Sequence, residues 1–153
     1  MHQGLRARFQ STNIILHGGV DDVWWDTKTE QVIVVDYKSQ ANKNQVNPET
    51  YLYPTHRKWY AEQMDFYAYL LLKMGFDVSP TAYFYVCNAD RSAPEFGGQM
   101  LFEETLVPYG WSADWIDPKV SEMLEVLASD EMPLSTPACE NCAYARQRAT
   151  LES

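Results

Sequence analysis

Asp36 and Lys38 stand two residues apart at the end of an apolar run, Gln31-Val32-Ile33-Val34-Val35-Asp36-Tyr37. Alternate side chains of an extended strand share a face, so a carboxylate and an ammonium leave the same side of this segment. The carboxylate is a hard oxygen ligand suited to Mg2+ or Mn2+. The protonated lysine cannot ligate such an ion, but it can neutralise a phosphate or help orient and deprotonate an attacking water. Asp21, on the preceding extended segment, offers a second carboxylate. Two carboxylates from adjacent strands with one cation beside them are the minimum for metal-assisted phosphodiester hydrolysis. Asp22 competes with Asp21, but successive strand residues face opposite ways, so only one of the two can point at Asp36. Taken alone, an Asp-x-Lys is a common solvated surface pair worth under about 1 kcal/mol. Its weight here comes from what surrounds it.

The elements that must position these groups can be read from the pattern. Ile14 to Leu16 and Val20 to Trp25 read as strand segments, continuous through a bend at Gly18-Gly19. Residues 26–30 are turn-like and return the chain into the strand at Gln31, making a hairpin with Asp36 and Lys38 at its end. On that placement, loss of the Lys38 side chain should lower the rate with little effect on folding. Residues 39–54 are polar and read as a long loop. A helix follows from about Thr55 to Met74, with Tyr60, Met64, Tyr67, Leu71 and Met74 as its apolar stripe. Residues 82–87 read as a buried strand containing Cys87, and 100–107 as an edge strand. Asp117-Pro118 is an N-cap and first-turn pair opening a helix with Val120, Met123, Leu124 and Leu127 inward. From Met132 the chain reads as irregular. The order of elements points to an α/β class with a mixed central β-sheet flanked by helices. The chain is taken as a single domain, 1–153, with its core at about 12–131 and a cysteine-bearing tail at 132–153.

Three motifs in this order resemble the RecB-like branch of the PD-(D/E)XK nucleases. They are Gly18-Gly19-Val20-Asp21 for G-x-x-D, Asp36-Tyr37-Lys38 for D-x-K, and Gln63-Met64-Asp65-Phe66-Tyr67 for Q-x-x-x-Y. The resemblance implies a restriction-endonuclease-like core. It implies that Asp21, Asp36 and the backbone carbonyl of Tyr37 ligate the metal and that Lys38 is the catalytic cation. Gln63 and Tyr67, one helical turn apart, would steady the site or touch the nucleic-acid backbone. Such nucleases also carry an earlier helix with a Glu or His that reaches the metal. Only about seventeen residues precede Gly18 here, His17 is a strand residue too close to serve, and His2 sits near the terminus. An N-terminally shortened chain is the expectation. Cys139 and Cys142 resemble the C-terminal cysteine cluster of relatives that hold an iron–sulfur cluster or zinc. Such centres need about four ligands, so these two make at most a half-site, completed only in a longer parent protein.

Composition bounds what remains. Hydrophobic residues form 46% of 153, enough for one core and against global disorder. No apolar run approaches the ~20 residues of a membrane span, and the first residues do not resemble a signal peptide, so a cytoplasmic protein with no membrane contact is expected. Three cysteines do not make a disulfide scaffold. The net charge of −9 argues against a broad nucleic-acid-binding face. Residues 1–58, however, hold seven Lys/Arg against six Asp/Glu, whereas residues 59–153 hold five against fifteen. The half with the candidate site is thus near neutral, and any wider basic surface would come from a protein partner. The expectation is a metal-dependent nuclease acting on DNA, with repair or recombination as its setting; the competing reading is a nuclease-like fold that binds nucleic acid or protein without cleaving.

Overall fold

The apolar run at Gln31–Tyr37 becomes an interior strand of a mixed sheet. The computed structural model describes residues 4–92, 95, 97–136 and 138–151 and resolves two units, Met1–Asp114 and Trp115–Ser153. The first unit contains β1 (Leu5–Arg8), β2 (Ile15–Gly18), β3 (Asp22–Asp26), β4 (Gln31–Asn42), β5 (Thr81–Asp90) and β6 (Phe102–Gly110). Its helix, α1 (Lys58–Lys73), follows a single 3-10 turn at Thr55–Arg57. Four strands form one sheet in the order β3-β4-β5-β6, while β1 and β2 pair as a separate antiparallel ribbon. The β3–β4 and β5–β6 pairs are antiparallel and β4–β5 is parallel, joined through α1 as a βαβ crossover. The α/β class and the mixed sheet are those expected from the order of elements.

Burial explains the arrangement. Along β5, Ala82, Phe84, Val86 and Asn88 alternate inward, and from β4 Val32, Val34 and Asp36 share the buried side. Met64, Tyr67, Ala68, Leu70 and Leu71 of α1 are buried as well. The Tyr60 and Phe84 rings meet at 6.2 Å between centroids, which sets α1 against this side of the sheet. Asp65 is also inside, accepting hydrogen bonds from the Tyr109 hydroxyl at 2.9 Å and the Ser112 amide at 3.0 Å. Burial, and then the Asp65 carboxylate, push the Tyr109 hydroxyl pKa well up. A buried acid with two donors is a structural clamp between α1 and the chain after β6.

Several expectations need correction. The segments flanking Gly18-Gly19 do not form one strand, because β2 pairs with β1 and β3 pairs with β4. The Leu5–Arg8 strand was not visible in the pattern; it pairs residue for residue with Ile15–Gly18 and carries buried Leu5. The loop expected from Ser39 starts later, since β4 stays paired with β5 until Asn42 opposite Asp90. Lys38 is therefore inside a strand, not at its end. Met74 lies past the last helical residue and is exposed. Cys87 is half-buried, on the face of β5 opposite Phe84 and Val86.

In the second unit, α2 spans Ile116–Ala128 and α3 spans Glu140–Leu151. Trp115 occupies the N-cap of α2 without a side-chain cap, so Asp117 lies inside the first turn, where its charge suits the helix dipole. Ile116 and Val120 are buried, but Met123 and Leu127 are exposed, not inward. The stretch after Met132 includes the twelve-residue α3 instead of being irregular throughout. Among the described residues no helix is long and apolar enough to cross a membrane.

Candidate active site

Asp36 is 1% exposed, and this burial dominates its chemistry. Its Oδ2 lies 2.6 Å from the Lys38 ammonium, while Oδ1 has no partner among the described residues. Desolvation raises the Asp36 pKa, the Lys38 ammonium opposes that shift, and the nearby Asp21 carboxyl adds to it. Lys38 in turn donates to Gln63 Oε1 at 3.2 Å and sits 4.3 Å from the centroid of the Tyr60 ring. Gln63 Nε2 donates to the Tyr67 hydroxyl oxygen at 2.7 Å. One polar chain thus runs from Asp36 through Lys38 and Gln63 to Tyr67, crossing from β4 to α1.

Asp21 lies one step beyond the β3–β4 ladder. Asp22 is opposite Val35, so Asp21 falls opposite Asp36. Its Oδ2 accepts the backbone N–H of Tyr37 at 2.9 Å, which ties the carboxylate to the peptide that follows Asp36. Asp22 faces the other way. Its carboxylate accepts from the Tyr37 hydroxyl at 2.7 Å, the Val23 amide at 2.8 Å and the Trp24 indole at 3.1 Å. These bonds, the Tyr37 hydroxyl foremost, lower its pKa. Strand alternation separates the two aspartates, and Asp21 is the one associated with Asp36.

The remaining sequence-selected residues divide cleanly. Gln63 and Tyr67 join the polar chain on Lys38. His17 is an exposed β2 residue, and His2 lies outside the described residues. Cys139 and Cys142 belong to the second unit, with Sγ atoms 2.9 Å apart and the Cys142 amide donating to Cys139 Sγ at 3.3 Å. No group of three or more His, Cys, Asp or Glu side chains suited to a metal occurs among the described residues.

Two residues do more than the sequence pattern assigns them. Tyr60 belongs to the expected apolar stripe, but its ring face supports the Lys38 ammonium, a cation–π contact. Its position three residues before Gln63 places both on one side of the helix, and this spacing could have revealed it. Gly18 is the other. A Cβ at Gly18 would come within 3.0 Å of Tyr67 Cε1 and 3.1 Å of Leu70 Cδ1. The first glycine of G-x-x-D therefore permits β2 to lie against the tyrosine of Q-x-x-x-Y, whose hydroxyl holds Gln63. Gly18→Ala should destabilise the protein by about 1–3 kcal/mol through overpacking. Thermal unfolding would check it, and Gly19→Ala, with nothing within 4 Å of its Cβ, is the matched control.

The model of one protein family, the PD-(D/E)XK nuclease superfamily, matches residues 2–147 of the 153. The chain belongs to the PD-(D/E)XK nuclease superfamily. Comparison with curated proteins and with solved structures yields no match. Members of this superfamily are generally metal-dependent nucleases that act on nucleic acid, typically with a divalent ion such as Mg2+. The residues present fit such an ion: a buried carboxylate with an oxygen lacking a partner, a second carboxylate opposite it, and a cation to limit their repulsion.

Proposed function

We propose that this PD-(D/E)XK protein is a metal-dependent deoxyribonuclease of the RecB-like branch, with Asp21, Asp36, Lys38, Gln63 and Tyr67 as its working set. The observation that carries the reading is Asp36: buried, paired on one oxygen with Lys38, unpartnered on the other, and opposite Asp21. A carboxylate left in that state lowers stability unless it serves a ligand. The branch assignment is supported by the physical connection of its three motifs, since Gly18 makes room for Tyr67 and Lys38 donates to Gln63.

Asp21, Asp36 and the Tyr37 carbonyl would hold Mg2+ or Mn2+, with water completing the coordination. An ion held there would supply a lowered pKa for bound water and positive charge to offset that building on the phosphate. The Lys38 ammonium neutralises a non-bridging phosphate oxygen or orients the attacking water. Gln63, fixed by the Tyr67 hydroxyl, orients Lys38 and is a positioning residue. DNA is the substrate proposed, and a role in repair or recombination in the cytoplasm is consistent with that chemistry. A protein partner would supply basic surface beyond the site, as the net charge of −9 favours. Labelled DNA incubated with the purified protein should be cleaved with Mg2+ or Mn2+ and left intact with EDTA. Intact DNA in both arms, from a folded protein that nevertheless binds DNA, would favour the non-cleaving reading.

A further inference from the structure

Tyr53 and Trp59 are the two most exposed aromatic side chains among the described residues, at 76% and 71%. They flank His56-Arg57-Lys58, where the chain leaves the loop and enters α1. Leaving a large aromatic ring in water forgoes the stabilisation that burying it would give, and here it happens twice within seven residues.

The segment is well held, so the exposure is not that of a loose loop. Two residues before Tyr53, Tyr51 is buried and its ring meets Phe84 at 6.1 Å between centroids. The Arg57 guanidinium lies 4.2 Å over the Tyr51 ring, donates to the Tyr51 carbonyl at 2.7 Å, and donates to Gln40 Oε1 at 3.0 Å. Gln40 Nε2 in turn donates to Asn88 Oδ1 at 3.2 Å. Half-buried Gln40 on β4 and buried Phe84 and Asn88 on β5 thus fix the frame from which Tyr53 projects.

Trp59 is placed by helix geometry. Trp59, Gln63 and Tyr67 are spaced by four, so they lie along one stripe of α1. Exposure falls along that stripe from Trp59 to half-buried Gln63 and buried Tyr67. Its inner members form the polar chain on Lys38, and its outer end is a bare indole. Charge points the same way. Residues 37–60 hold four Lys/Arg against one Asp/Glu, a net of +3 in a chain of −9. An anionic strand reaching Lys38 meets its favourable field along this segment.

We propose that Tyr53 and Trp59 form a stacking platform for unpaired bases at the mouth of the site, with Lys58 meeting the strand's phosphates. Every base has a π-face, so such a platform is tolerant of sequence but needs bases free of a duplex partner. The inference rests on the nuclease reading and adds to it a subsite and a requirement for unpaired nucleotides beside the catalytic face.

Binding of a labelled oligothymidylate and of an abasic strand of equal length, in EDTA, separates stacking from charge. The full protein should hold oligothymidylate about 10–100-fold more tightly than the abasic strand. Trp59→Ala and Tyr53→Ala should each erase much of that difference while leaving abasic binding nearly unchanged. Trp59→Phe should restore most of it, and Lys58→Ala should weaken both strands alike. Equal binding of the two strands by the wild-type protein would overturn the platform, as would an unchanged preference in both alanine variants. In either case, cleavage with Mg2+ would show that the nuclease reading survives. A folded protein that neither binds nor cleaves any strand would overturn both readings and leave the patch to a protein partner.

Discussion

Asp36→Asn should reduce metal-dependent cleavage by at least roughly 10³-fold and at the same time raise the stability of the metal-free protein by about 1 kcal/mol. The two effects have one origin. Asp36 is nearly inaccessible and one of its oxygens is unpartnered, so the ionised carboxylate is a liability to the fold until something binds it. Lys38 does not need Asp36 to the same degree, because its side chain keeps some exposure, the Gln63 amide oxygen and the Tyr60 ring. Removing the charge therefore relieves the acid without stranding the base. The sign with pH follows from the raised pKa of Asp36. The folded state holds this proton more tightly than the unfolded chain, so the stability associated with it is full below the ordinary carboxylate range. It is lost as pH rises through the raised value. The gain from Asn should thus be largest at neutral pH and vanish in acid. Differential scanning calorimetry in EDTA would check it, with a Tm shift of roughly 2–4 °C. Adding Mg2+ should raise the Tm of the wild-type protein and not that of the variant.

Lys38→Ala should have the opposite stability effect. The variant leaves a buried carboxylate with no counter-charge, a loss of about 2–4 kcal/mol at neutral pH. Asp36 can escape by holding its proton, so the loss should shrink as the pH falls; urea unfolding at two pH values would reveal that trend. Activity should drop by about 10²–10³-fold, the effect of losing one preorganised electrostatic group. Assays must run well below the variant's Tm, so that unfolding does not account for the loss. Lys38→Arg separates the roles. Guanidinium keeps the ion pair and most of the stability, but it cannot surrender a proton, and its fork differs from a compact ammonium. Near-normal cleavage by the arginine variant would assign Lys38 to charge neutralisation, whereas a stable but inactive variant would assign it to the attacking water.

The sequence made the local part of this site legible. A period of two put Asp36 and Lys38 on one face, and the same alternation required Asp21 and Asp22 to diverge, as they do. A spacing of four put Gln63 under Tyr67. What could not be read depended on distant pairing. The expectation that Lys38→Ala would spare folding came from placing Lys38 at a strand end. The length of β4 is set by its parallel partner out to Asn42 and Asp90, which no local pattern reports. The purpose of Gly18 depends on Tyr67, far along the chain. The α3 helix lacked a signal for another reason: with no buried residue it carries no apolar stripe for periodicity to detect. In α2 the stripe misled, because apolar Met123 and Leu127 occupy helical spacing yet remain exposed.

The central claim is that Asp21 and Asp36 hold one divalent ion beside Lys38, and Mn2+ in a crystal tests it most directly. Manganese scatters anomalously, so its position is independent of how the side chains are built. One anomalous peak should lie between the two carboxylates, with the Lys38 ammonium adjacent, and it should disappear in an Asp36→Asn crystal grown and soaked identically. A well-ordered crystal with Asp21 turned away from Asp36, or with manganese bound elsewhere and unaffected by the substitution, would contradict the account.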